Sequence, residues 1–272
     1  ETAATTINAR PAAATSFHCR FNHGATAGVA TMAACDFRRA VPMAADATKG
    51  HFLSEFERLG LVPTLTRELA HAGFATPTPI QQQSIPLALK GHDILGLAQT
   101  GTGKTLAFGL PMLQRVMESP GRHAPKSVKA LVLAPTRELV NQIADSLRPM
   151  AKATPLKIAT VVGGQSINRQ IATLSRGIDI LVATPGRLID LMDRGDVDLS
   201  TVRFLVLDEA DHMLDMGFIH ALRKIAPRLG TPRQTKLFSA TMPKQMEELS
   251  RSYLKDPRRI EVAPPGKTAD KV

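Results

Sequence analysis

Apolar positions alternate between two regimes along residues 49–262. Strand patterns fit about 93–97, 129–134, 157–162, 178–183, 202–207, 234–239 and 258–262. Between them, apolar residues recur at helical spacing over 63–72, 80–89, 104–117, 137–148, 165–174, 186–193, 218–228 and 243–252. Strand followed by helix, repeated, predicts an α/β domain with a mostly parallel sheet, right-handed crossovers and helices on both faces. Runs such as Phe204-Leu205-Val206-Leu207 suit strands covered on both sides. Residues 118–127 read as a surface loop, and no internal repeat is visible.

The flanks differ in character. Residues 1–48 are rich in Ala and Thr, poor in acids, and carry Arg10, Arg20, Arg38 and Arg39. They loosely resemble a transit peptide, but read better as a disordered or non-native extension, with Met32 or Met43 as plausible starts. Residues 263–272, Pro/Gly-rich and polar, read as the start of an interdomain linker.

Two segments carry chemistry. Residues 98–105 read Ala-Gln-Thr-Gly-Thr-Gly-Lys-Thr, between a strand pattern and a helix pattern. That context suits a phosphate-cradling loop. Gly101 and Gly103 permit positive φ, so backbone N–H groups can face phosphates, and the helix N-terminus favours an anion. Lys104 would reach the β- and γ-phosphates, and the Thr105 hydroxyl would ligate Mg²⁺. The general pattern has glycine where this chain has Ala98. Residues 208–211 read Asp-Glu-Ala-Asp at the end of an apolar run. Asp208 there can hold Mg²⁺, and Glu209 can position or deprotonate water. A helix start, which also favours acids, is the plainer reading of the same four residues.

With these segments in place, the chain resembles the DEAD-box RNA helicases. Gly73 to Gln81 looks like the family's Q motif, with Phe56 seventeen residues before Gly73 as its upstream aromatic. Ala98–Thr105 resembles motif I, where this family carries alanine. Pro135-Thr136-Arg137-Glu138-Leu139 resembles motif Ia, Gly163-Gly164 the GG element, and Thr184-Pro185-Gly186-Arg187 motif Ib. Asp208–Asp211 resembles motif II and Ser239-Ala240-Thr241 motif III. The likeness covers about 52–262, and the run at 79–83 has a bacterial, RhlE-like tone.

The resemblance implies a RecA-like P-loop domain that binds ATP or ADP with Mg²⁺. Phe56, Phe74, Thr76 and Gln81 would surround adenine, with Gln81 reading its edge and Phe56 either stacking on it or lying in the core. Gln99, Thr100, Gly101, Thr102, Gly103, Lys104 and Thr105 would hold the phosphates. Lys104, Asp208 and Glu209 would be catalytic, with Thr105 and Asp208 on the metal. Asp211 would couple to Ser239 and Thr241. Pro135, Thr136, Arg137, Gly164, Gln165, Thr184, Pro185, Gly186 and Arg187 would grip RNA, a structural salt bridge being the alternative for both arginines. The family's second RecA-like domain, with motifs IV to VI, has no counterpart here. The resemblance therefore implies half an engine, monomeric, binding nucleotide weakly and unwinding nothing alone.

Composition adds little. Lys and Arg exceed Asp and Glu by 34 − 24 = 10, which suits a phosphate backbone. No Trp, one Tyr and ten Phe leave few stacking platforms, favouring backbone gripping over base reading. Cys19 and Cys35 lie in the extension, and with His18 and His23 they match no zinc spacing. A domain without cysteine fits a reducing compartment, hence the cytoplasm. No apolar stretch reaches the ~18 residues of a membrane span. Two other readings stay open. One is an RNA- or protein-binding module with incidental ATP, against which Lys104, Asp208 and Glu209 argue. The other is a DNA helicase or related motor, against which Phe74 and Gln81 argue.

Overall fold

The computed structural model describes residues 54–119 and 124–262. The readings made for 1–48 (including Cys19 and Cys35), for 120–123 and for 263–272 lie outside those residues. Among the described residues no helix is long and apolar enough to cross a membrane.

Among the described residues seven strands form one sheet, all parallel. They are β1 (Ile94–Leu97), β2 (Val128–Leu133), β3 (Ile158–Val161), β4 (Ile178–Ala183), β5 (Phe204–Leu207), β6 (Gln234–Ser239) and β7 (Arg258–Glu261). Their spatial order is β3-β4-β2-β5-β6-β1-β7. The helices are α1 (Glu55–Arg58), α2 (Pro63–His71), α3 (Pro79–Leu89), α4 (Lys104–Glu118), α5 (Arg137–Ala151), α6 (Ile167–Leu174), α7 (Pro185–Asp193), α8 (Ala210–Asp215), α9 (Ile219–Ile225) and α10 (Lys244–Tyr253).

The strands alternate between two cores. In β5, Phe204 and Val206 join the core packed by α1 to α5, while Leu205 and Leu207 join the core packed by α6 to α10. Two-sided burial explains why these strands read as unbroken apolar runs rather than as alternating ones.

Predicted and observed elements agree within a few residues, with instructive exceptions. Helix α1 is one turn long, fixed by the reciprocal Ser54–Glu57 capping bonds; such a turn has no period to detect. Helix α5 runs past Pro149, where the predicted helix stopped. The helix predicted over 218–228 ends at Ile225 and finishes as a 3₁₀ turn over Ala226–Arg228. Helix α8 realises the helix start weighed for residues 208–211, though its extent was not predicted because it follows a strand directly.

A candidate nucleotide and RNA rim

Apart from Gly73–Gln81, which joins α2 to α3, every singled-out loop leaves the carboxyl end of a strand, the edge of an open α/β sheet where ligands bind. Strand order then sorts the loops. β5 lies between β2 and β6, and β6 lies beside β1. Residues 98–103, 208–211 and 239–241 therefore gather at β1, β5 and β6, while 135–137, 163–165 and 184–187 gather at β2, β3 and β4.

At the first group is a cleft of about 560 Å³, lined by Phe74, Thr76, Gln81, Thr100, Gly101, Gly103, Lys104, Thr105, Asp208 and Glu209. Gly103 opens α4 at φ +91°. A Cβ there would sit 2.6 Å from Gln81 Nε2 and 2.9 Å from Thr78 Oγ1, so the turn excludes a side chain. Gln81 is buried. Its Nε2 donates to Gly103 O at 3.0 Å, and its Oε1 accepts from Thr78 N at 2.9 Å. The amide thus ties the start of α3 to the phosphate loop, leaving one N–H and one lone pair for a ligand.

Lys104 and Asp208 are both buried, with Nζ and Oδ1 4.0 Å apart. Burial pushes the Asp208 carboxyl up to about 6. Lys104 opposes this, but at 4.0 Å its pull is outweighed by burial together with the neighbouring Glu209 and Asp211 charges. Glu209 sits at φ 50°, ψ 51°, and its carboxylate accepts from Thr100 Oγ1 at 3.3 Å. Asp211 points the other way, to the end of β6. Its Oδ2 accepts from Thr241 N (2.9 Å), Thr241 Oγ1 (2.9 Å) and Ala240 N (3.2 Å), while its own N–H donates to Ser239 Oγ. Burial raises this carboxyl, yet the bonds from Thr241, Ser239 and His212 outweigh it and hold it below the usual carboxylate range.

The residues fit a nucleotide with its metal. The loop is closed to a Cβ at Gly103, and the buried Thr78 Oγ1 beside it has no partner among the described residues. Among the described residues no three His, Cys, Asp or Glu cluster as a metal cage. One carboxylate and one hydroxyl suit Mg²⁺, which takes its remaining ligands from phosphate and water.

Three expected positions, Phe56, Gln99 and Thr102, do not line this cleft. Phe56 is 2 % exposed and packs in the core with α2 to α5, so the structure does not bring it to the cleft. The aromatic at the cleft is Phe74, 46 % exposed. Gln99 is exposed, and its carbonyl accepts from Thr102 Oγ1 at 2.8 Å, which shapes the loop.

The second group lines a cleft of about 460 Å³ that includes Pro135, Thr136, Arg137, Gly164, Thr184, Gly186 and Arg187. Thr136 caps α5 by accepting from Leu139 N at 3.1 Å. Arg137 is exposed, its Nη1 reaching Gly163 O at 3.4 Å. Gly164 has φ +76°, and a Cβ there would strike that guanidinium. Arg187 donates to Gln165 O at 3.1 Å and lies 3.6 Å from Asp190, so the weighed salt bridge is present. Pro185 is buried at the first turn of α7.

Sequence reasoning missed Leu139, Gln142 and Ser146 in the first cleft and Met216 and Phe218 in the second. The former share one face of α5 at spacings of three and four, a signal that was available. Helix α5 begins in one cleft and lines the other.

A family model described as DEAD/DEAH box helicase matches residues 78–249. Over 209 residues the chain is 47 % identical to the RNA helicase CrhR of Synechocystis sp. (strain ATCC 27184 / PCC 6803 / Kazusa), covering 77 % of this chain and 41 % of that one. A DEAD box protein from the hyperthermophile Methanococcus jannaschii superposes with a TM-score of 0.70 at 38 % identity, covering 76 % of this chain and 55 % of that one. A hypothetical ATP-dependent RNA helicase from Sulfolobus tokodaii gives 0.67 at 35 %, covering 73 % and 56 %. The chain thus spans between two-fifths and three-fifths of the length of these relatives.

Proposed function

The chain belongs to the DEAD/DEAH box helicase family, and we propose that it forms the ATP-binding half of a cytoplasmic DEAD-box RNA helicase. In this reading residues 49–262 are a RecA-like domain that couples Mg²⁺–ATP binding and hydrolysis to RNA binding without sequence preference and to local unwinding. The observation that carries it is the single rim on which both clefts lie, one built on a buried Lys104–Asp208 pair and the other on Arg137 and Arg187.

Phe74, Thr76 and Gln81 would take the adenosine. The amides from Gln99 to Gly103 and the Lys104 ammonium would take the phosphates. Thr105 and Asp208 would hold Mg²⁺, which supplies charge neutralisation at the phosphates. Glu209, held by Thr100, orients the attacking water. Asp211 reads the end of β6 through Ser239 and Thr241, so a change at the phosphates is passed to that loop. Residues 135–137, 164–165 and 184–187 offer backbone amides and two guanidiniums to successive RNA phosphates. A second RecA-like domain, of the kind the longer relatives have room for, would close over the rim and supply further cations to the transition state. Alone, the chain binds nucleotide weakly, turns over little and separates no strands.

The test is ATP turnover by the chain with and without single-stranded RNA, repeated with Glu209→Gln and after adding a second RecA-like domain in trans. RNA-stimulated turnover that needs the second domain and Glu209 supports the reading. Nucleotide affinity that survives Lys104→Ala in a folded protein would overturn the phosphate-loop assignment. Robust unwinding by the chain alone would overturn the two-half scheme.

A further inference from the structure

The loop between β3 and α6 lines two clefts. Gly163 and Gly164 belong to the rim cleft described above, whereas Gln165 and Ser166 open a separate one of about 490 Å³ along β3 and α6. β3 is the last strand of the sheet on this side. A chain lying across the ends of β2, β4 and β3 meets this second cleft next. The two are tied together, because Arg187 of the rim donates to Gln165 O at 3.1 Å.

The lining of the second cleft is polar and carries no carboxylate. It holds two guanidiniums, Arg148 and Arg169, and the hydroxyls of Thr160, Ser166 and Thr173. Arg148 is paired with Asp145. Arg169 is exposed, and among the described residues its side chain has neither a hydrogen bond nor an ion pair. Gln170 is set into the wall at 6 % exposure, its Nε2 held by Val162 O at 2.9 Å and its Oε1 without a partner. Ser166 precedes α6 and makes no side-chain cap, so its hydroxyl is not taken up by that helix. An unpaired cation in a cleft lined by hydroxyls and free of carboxylates suits a phosphodiester backbone bearing a 2′-hydroxyl. An acidic peptide would also meet the cation, but the continuity with the rim cleft favours nucleic acid.

We infer that single-stranded RNA held on the rim continues past Gly164 over the sheet edge, and that Arg169 takes a phosphate beyond those gripped by the rim. This rests on the RNA-binding reading proposed above. No motif of the sequence pointed to Arg169 or Gln170.

The experiment measures binding of the whole chain, at low salt, to a fluorescent oligouridylate just long enough for the rim and to one several nucleotides longer. Arg169→Glu should lower affinity for the longer RNA several-fold, to that of the shorter. It should also make the slope of log affinity against log salt for the longer RNA shallower by about 0.7, the share of one single-strand phosphate contact. Arg169→Lys should restore most of the loss. 4-Thiouridine placed in the added nucleotides should crosslink to the peptide containing α6. A longer RNA bound no better than the shorter, an equal loss for both RNAs, or crosslinks only to rim residues would overturn the extension and leave the rim reading standing. Failure of the unmodified chain to bind either RNA would overturn both.

Discussion

Lys236 lies where an apolar residue belongs. It is 1 % exposed in the middle of β6, paired in register with Ile94 of β1 and Val206 of β5, and among the described residues its Nζ donates only to Phe108 O, at 3.4 Å. Burial first, then the Arg115 charge, push its pKa from 10.5 down to about 7 against the opposing pull of Asp93. The folded chain therefore binds fewer protons than the unfolded chain between about pH 7 and 10.5, so stability rises with pH across that window. Below the folded value the penalty is complete. The gap between 10.5 and 7, at about 1.36 kcal/mol per unit, makes it about 5 kcal/mol. At pH 9 the remaining gap is 1.5 and the penalty about 2 kcal/mol. Lys236→Met keeps the straight stem and removes the charge, and Phe108 O keeps its place in the hydrogen bonding of α4. Urea unfolding should show the variant more stable by several kcal/mol at pH 6 and by markedly less at pH 9. Equal stability at pH 6, or a gain that does not change with pH, would refute the reasoning.

Other expectations concern the clefts. Phe56→Ala should cost about 3–5 kcal/mol of folding stability, as truncation of a buried aromatic does, while Phe74→Ala should weaken nucleotide binding in calorimetry with little change in melting temperature; the reverse pattern would return Phe56 to the adenine. Gly103→Ala should lower nucleotide affinity at least tenfold, since φ +91° and the contact with Gln81 both oppose a side chain; wild-type affinity would show the loop free to re-form. Thr241→Ala removes one of the three bonds to Asp211 Oδ2, a loss of about 1 kcal/mol in stability. In a two-domain helicase it should lower strand separation more than ATP turnover, and equal losses of both would argue against coupling through this loop.

What the sequence determined by itself is local. The strand patterns and the intervening 3.6-residue periods set the strands and most helices, because burial on both faces or on one stripe leaves a direct imprint on residue type. The glycines at 101 and 103 and the acids at 208 and 209 were legible for a similar reason: a positive φ and a cluster of charge each require particular side chains in a short span. What only the tertiary structure decided is convergence. Nothing near Phe56 says whether its ring faces adenine or core; the packing of α2 to α5 over it does. Met216 and Phe218 reach the second cleft only because a short helix follows the acidic motif. Lys236 reads as an ordinary polar residue until its strand is found between β5 and β1. Strand order, which places residues far apart in the chain at one rim, is chosen by the summed burial of two cores, and no short stretch of sequence contains that sum.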